Sequence, residues 1–256
     1  MDADSAMVEI SSPGDDHVAE VQLCRPPNNF FSLAMIAALA DALEDLDAEP
    51  ACRAVVLSAG GKHFCAGADF SSAGPAYSTE DLYRAAVRLF RTRKPIVAAV
   101  QGAAIGGGLG LALAADFRIA APDARFSANF ARLGFHQGFG LSVTLPAVVG
   151  GQRAAELLYT GRRIDGEEAA SIGLADRVVP LDELPAAARV LAAEIAGSAP
   201  LAVESIRATL RGDLADRIAE ATAHEAAEQE RLRATADFVE GTRAMAERRP
   251  PRFTRS

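Results

Sequence analysis

Three consecutive glycines, Gly106-Gly107-Gly108, stand between two apolar runs of different character, and such a sequence is most simply met by a chain that turns sharply from a buried strand into a buried helix. Upstream, Lys94-Pro95-Ile96-Val97-Ala98-Ala99-Val100 is a continuous apolar run of strand length. Downstream, Leu109-Gly110-Leu111-Ala112-Leu113-Ala114-Ala115 has the small-residue composition of a packed helix. The glycines then fall at the helix N-terminus, where backbone N–H groups have no intrahelical partner and the helix dipole is positive. Without a Cβ, an oxygen anion can approach that backbone closely, which is the physics of an oxyanion hole. Tight turning and close packing alone would account for the same glycines, and this segment does not decide between the two.

A second segment of the same kind lies earlier in the chain. Ala54-Val55-Val56-Leu57-Ser58-Ala59 reads as another strand and is followed by Gly61-Lys62-His63-Phe64-Cys65-Ala66-Gly67-Ala68-Asp69-Phe70. Two glycine-flanked turns, each after a strand, can supply two convergent N–H donors. Strand and helix patterns alternate through the first two thirds of the chain, which predicts an α/β core. Val18-Ala19-Glu20-Val21-Gln22-Leu23 alternates like a half-exposed strand, and Leu33, Ile36, Leu39, Leu43 and Leu46 have helical spacing behind a possible Ser32 N-cap. Periodicity alone permits either a doubly wound sheet or a spiral of strand–helix units.

After Ala196-Gly197-Ser198-Ala199-Pro200 the composition shifts to helix formers, dividing the chain into residues 1–196 and a helical region, 197–256. Ser198 is expected to cap the next helix with Pro200 in its first turn, and Ile206, Leu210, Leu214 and Ile218 to form one packed face. With 256 residues, half of them hydrophobic, the chain can bury a large core. A net charge of −8 argues against general nucleic-acid binding. The acidic, polar start is unlike a signal peptide and no apolar run reaches membrane-span length, so no membrane partner is expected. Three cysteines without metal-type spacing predict no disulfide framework, no metal site and a reducing, cytoplasmic setting.

Taken together, several segments resemble the crotonase, or enoyl-CoA hydratase/isomerase, superfamily. They are Leu23-Cys24-Arg25-Pro26-Pro27-Asn28-Asn29, Ala66-Gly67-Ala68-Asp69, Ala98 to Gly108, Thr160-Gly161-Arg162-Arg163-Ile164, Gly173-Leu174-Ala175-Asp176-Arg177-Val178-Val179, Glu240-Gly241-Thr242 and Arg249-Pro250-Pro251-Arg252-Phe253. The resemblance implies an α/β fold, a crotonase-like ββα spiral core with a C-terminal helical trimerisation region, assembled as a homotrimer or a dimer of trimers. It implies an acyl-CoA substrate whose coenzyme A is part of the substrate, with no separate cofactor. The amides of Ala68 and Gly107 would bind the thioester carbonyl and stabilise its enolate. Arg25, the Ala66 carbonyl, Arg252 and Phe253 would lie near the nucleotide end. Hydratases of the family carry two acid/base glutamates, one two residues after the third glycine and one on the following loop. Those positions are Gly110 and Phe130 here, and neither can move a proton.

His136, in Gly134-Phe135-His136-Gln137-Gly138-Phe139-Gly140, is the remaining candidate base, since histidine titrates in the useful range; it could equally bond a loop carbonyl. His63 reads as a strand-end or surface residue, and His17 and His224 sit in polar surroundings. Cys65 is expected to pack rather than attack, and Asp69 and Asp116 to hydrogen-bond locally. Gly110 would open space in the acyl pocket, while Phe130, Phe135 and Phe139 make its other wall apolar, favouring an apolar chain at about 0.8 kcal/mol per buried methylene; Phe70, Tyr77 and the 71–78 loop could either close or open the pocket. Two functions follow: an enzyme stabilising the enolate of an acyl-CoA thioester, ordinary hydration being in doubt, or a non-catalytic acyl-CoA binding protein.

Overall fold

A computed structural model describes residues 7–69 and 78–256. Phe70 and Tyr77, expected at the acyl pocket, lie outside the described residues. The main sheet contains β1 (Val8–Ser11), β2 (Val18–Leu23), β3 (Ala54–Ala59), β4 (Ile96–Val100), β6 (Phe117–Ala120) and β8 (Arg177–Val178), side by side in that order. Only the β1–β2 pair is antiparallel. Between β4 and β6 the chain makes β5 (Ala103–Ile105), and after β6 it makes β7 (Arg125–Ser127); these pair in parallel as a second, small sheet. An isolated parallel bridge, Cys65 to Ala104, adds the segment after β3 to that sheet. Each pass of the chain thus places one segment in each sheet and advances by one position. A doubly wound sheet would reverse direction from a central strand; this one does not, and the arrangement is a spiral.

Both faces of the central strands β3 and β4 are buried. Val55, Leu57, Ile96, Ala98 and Val100 join the larger core with α1 (Leu33–Ala48) and α2 (Thr79–Phe90). Their alternates Ala54, Val56, Val97 and Ala99 meet Leu184, Ala188 and Ala192 of α7 (Leu184–Ala196). Burial on both sides explains why these strands read as continuous apolar runs. β2 is interior rather than half-exposed: Val18, Ala19, Val21 and Leu23 are buried, and only Glu20 and Gln22 are partly open. Ser32 caps α1 as expected, its side chain accepting from the Met35 N–H.

The C-terminal part comprises α8 (Pro200–Arg211), α9 (Leu214–Arg233) and α10 (Ala236–Ala246). Two expectations fail here. Ser198 does not cap α8; its N–H bonds the Ile195 carbonyl at the end of α7, and Ala199 occupies the cap position. Nor do the apolar residues form one face, because the chain breaks at Gly212 (φ +50°) between α8 and α9. Ile218 is fully buried, whereas Ile206 and Leu210 are 58% and 81% exposed. Charge anchors α8 instead. Asp116 accepts from the Ile96 N–H at 2.8 Å, from Arg207 Nε at 2.9 Å and from Arg211 Nε at 3.0 Å, and Arg207 Nη1 donates to the Thr92 carbonyl. The local role expected for Asp116 is therefore joined by a buried ion cluster across elements. Among the described residues no single helix is long and apolar enough to cross a membrane; α7 and α8, which together have the apolar length, meet at 103°.

Candidate functional site

The two glycine turns are brought together by the second sheet. Cys65 pairs in parallel with Ala104; the Cys65 N–H donates to the Ala103 carbonyl at 2.9 Å, and the Ile105 N–H to the Cys65 carbonyl at 3.1 Å. In parallel pairing, equal offsets keep residues side by side. Three residues beyond this pair lie Ala68 on one segment and Gly107 on the other. Gly107 begins α3 (Gly107–Ala112) directly after Gly106, which turns the chain at φ +56°. The close approach tolerates no side chains: a Cβ on Gly108 would lie 2.1 Å from the Cys65 carbonyl oxygen, and one on Gly107 2.3 Å from the Phe31 ring. Phe31 is held in turn by its N–H, which donates to the Gly67 carbonyl at 3.1 Å. Among the described residues, neither the Ala68 nor the Gly107 N–H has a backbone or side-chain acceptor, and both residues line a cavity of about 630 Å³.

Phe130, Phe135 and Phe139 form much of the apolar wall, with Leu82 and Leu133. Gly110 does not open the space expected of it. A Cβ there would lie 2.7 Å from Phe139 Cβ, so Phe139 occupies the volume that the missing side chain vacates, and Gly110 does not line the cavity. Phe139 is almost completely buried at φ +61° and packs against Phe31 with ring centroids 5.9 Å apart.

His136 is turned away from this cavity. Its Nδ1 lies 2.9 Å from the Gln137 carbonyl oxygen, and its ring meets His224 edge-on, centroids 5.6 Å apart. Bonding to a loop carbonyl, the other expectation for this residue, is what the structure has. His63, expected at the surface, lines the cavity. The Ala103 N–H donates to its Nδ1 at 3.1 Å, and burial, with the Lys62 and Arg125 charges, holds its pKa down. With Nδ1 accepting, the neutral ring carries its proton on Nε2. Cys65 is fully buried, and burial pushes its thiol up to about 12, as befits a packed residue. Of the expected nucleotide-end residues, Ala66 lines the cavity, but Arg25, Arg252 and Phe253 do not. The Arg25 guanidinium donates to the Phe30 carbonyl at 2.7 Å, Phe253 is 43% exposed, and the Arg252 N–H donates to Glu240.

The inward side of α9 supplies groups that sequence periodicity passed over. Ile218, Thr222, Glu225 and Gln229 are buried in succession at helical spacing, and Arg233 follows one turn later on the cavity wall. Glu225 caps α4 (Leu141–Val149), its carboxylate accepting from the Gly140 N–H at 2.9 Å and the Ser142 N–H at 3.0 Å. Burial nevertheless raises its pKa, against the lowering effect of those bonds. Gln229 accepts from Tyr83 Oη at 3.1 Å and donates to the His136 carbonyl at 2.9 Å, so α9 fixes the whole 134–142 loop. The sequence signal was available as polar residues at positions where an apolar stripe was expected.

The family model for enoyl-CoA hydratase/isomerase matches residues 14–256. The chain belongs to the enoyl-CoA hydratase/isomerase, or crotonase, superfamily. Among its relatives, a probable enoyl-CoA hydratase of Mycobacterium bovis is 38% identical over 256 residues, covering 93% of this chain and 89% of that protein. The crystal structure of an enoyl-CoA hydratase/isomerase from Pseudoalteromonas atlantica superposes with a TM-score of 0.87 at 32% identity, covering 97% of this chain and all of that one. An enoyl-CoA hydratase from Mycobacterium avium subsp. paratuberculosis gives a TM-score of 0.84 at 29% identity, covering 97% and 99%. Within this crotonase-family chain, Asp69 is the one carboxylate that lines the cavity among the described residues, while Arg125, Arg163 and Arg233 all face it.

Proposed function

We propose that this protein binds an acyl-CoA thioester with the carbonyl oxygen between the Ala68 and Gly107 N–H groups and stabilises negative charge on that oxygen as an enolate. The observation that supports the reading is the parallel Cys65–Ala104 pairing three residues before Ala68 and Gly107, which both line the cavity and whose N–H groups have no acceptor among the described residues. Donors fixed before the reaction require no reorganisation when charge develops, and one such donor contributes about 2.7–4 kcal/mol to an oxyanion transition state.

Ordinary hydration of a simple 2-enoyl-CoA is not the activity this reading assigns. Adding water needs a base for the water and an acid for the carbon, and the two family positions for them are filled by Gly110, backed by Phe139, and by Phe130. Each missing role costs about two to four orders of magnitude. Binding without turnover is the second reading, favoured by the engagement of the His63 Nδ1 lone pair by the Ala103 N–H and by the placement of His136 against α9. Short, medium and aryl 2-enoyl-CoA thioesters, followed by loss of the enone absorbance and by product mass, test the proposal. Saturable binding is expected, with hydration at least about two orders of magnitude below an ordinary enzymatic rate; rapid hydration of a simple enoyl-CoA would overturn it.

A further inference from the structure

We propose that Arg233 selects an acyl group ending in a carboxylate, so that the preferred ligand is the coenzyme A thioester of a dicarboxylic acid. This rests on the acyl-CoA reading above and departs from the expectation of an apolar acyl chain. Arg233 lines the cavity, and its Nε is buried with no hydrogen-bond partner. A buried guanidinium donor left without an acceptor costs free energy that a bound anion would recover.

Among the described residues no side-chain carboxylate pairs with it. Residues 70–77 contain no acidic residue. Glu225 is engaged by Gly140 and Ser142, Glu228 by Arg231 and Asp237 by the 254–255 backbone, and Glu230 is on the exposed side of α9. Asp69 shares the cavity but has an interaction of its own. The polar neighbours are engaged as well: Tyr83 Oη donates to Gln229, and Gln229 donates to the His136 carbonyl. Both fix the wall around the guanidinium.

Arg233 follows Gln229 by one turn on α9, and Gln229 meets Tyr83 of α2, while Ala66 adjoins the Cys65–Ala104 bridge and Arg125 belongs to β7 of the small sheet. A planar guanidinium matches a carboxylate through paired N–H donors. The remaining wall, Leu82, Phe135 and Phe139, suits the methylenes between the thioester and that carboxylate.

Calorimetric titration of the full-length protein with coenzyme A, hexanoyl-CoA and adipoyl-CoA tests the inference, because the last two differ only in the terminal group. The wild type should bind adipoyl-CoA roughly ten- to a hundredfold more tightly than hexanoyl-CoA, and the ratio of the two dissociation constants should fall to about one in R233M. Equal binding of the two thioesters, or tighter hexanoyl-CoA binding, by the wild type would overturn the inference while leaving the acyl-CoA reading intact. If R233M weakens coenzyme A alone as much as adipoyl-CoA, the arginine serves the coenzyme and the inference falls. Failure of all three ligands to bind would overturn the acyl-CoA reading and the inference with it. Should R233M melt at the titration temperature, the wild-type ratio decides alone.

Discussion

Gly107 and Gly110 lie three residues apart and are constrained by different neighbours. A Cβ on Gly107 meets the Phe31 ring at 2.3 Å, and the Phe31 backbone is held by its N–H, which donates to the Gly67 carbonyl. Gly107→Ala should therefore displace the Gly107 N–H and weaken any oxyanion-dependent turnover by about 10²–10³-fold in kcat, read by steady-state kinetics. At Gly110 the obstruction is Phe139. Gly110→Ala should destabilise by about 1–3 kcal/mol in denaturant unfolding, and much of that cost should vanish in a Phe139→Ala background, because the two side chains compete for one volume. The triple glycine announced a backbone held close to something, but not that Phe139, an aromatic residue at φ +61° twenty-nine positions beyond Gly110, fills the space beside Gly110. For His63 the expectation of a strand-end or surface residue left out its place on the cavity wall for a related reason: its role depends on the Ala103 N–H, which only the fold brings near. Its folded pKa is depressed, so the neutral ring stabilises the protein above the ordinary histidine range, and this contribution is lost as pH falls through about 6.5 toward the folded value. Thermal melts between pH 7.5 and 5 should show a stability loss that His63→Gln reduces.

At the scale of elements, α1 was legible from its spacing and its Ser32 cap because those signals are local. α8 was legible as a helix with Pro200 in its first turn, but its packing was not, since buried ion pairs hold it in place of an apolar face. Asp116 is 16% exposed and faces Arg207 and Arg211, which are 7% and 14% exposed. Asp116→Ala would leave two buried guanidinium groups uncompensated, and should cost about 3–5 kcal/mol in chemical denaturation. α9 was legible as a helix, but its polar inward side follows tertiary demand, with Glu225 serving the N–H groups at the start of α4. Burial raises the Glu225 pKa, so its contribution to stability is complete below the ordinary carboxylate range and is lost as pH rises through the folded value. Glu225→Gln keeps one acceptor and removes the titration; the stability of the wild type relative to this variant should decline as pH increases from about 4 to 7.

For the molecule as a whole, strand and helix periodicity gave the α/β class, and the motifs gave the spiral and the family. Periodicity could not separate a spiral from a doubly wound sheet, because strands buried on both faces carry no outward pattern to report their order. The spiral is what matters for function. Its repeated placement of one segment in each sheet aligns the Ala68 and Gly107 turns, and α9 closes the cavity they face. The measurement that tests this arrangement most directly is the absorbance spectrum of an aryl enoyl-CoA thioester during titration with the protein. Hydrogen bonds to the thioester oxygen polarise the conjugated system, so a saturable red shift is expected with the wild type and a much smaller one with Gly107→Ala. Tight binding with no spectral shift would mean that the thioester oxygen does not sit between the two N–H groups, and would contradict the account.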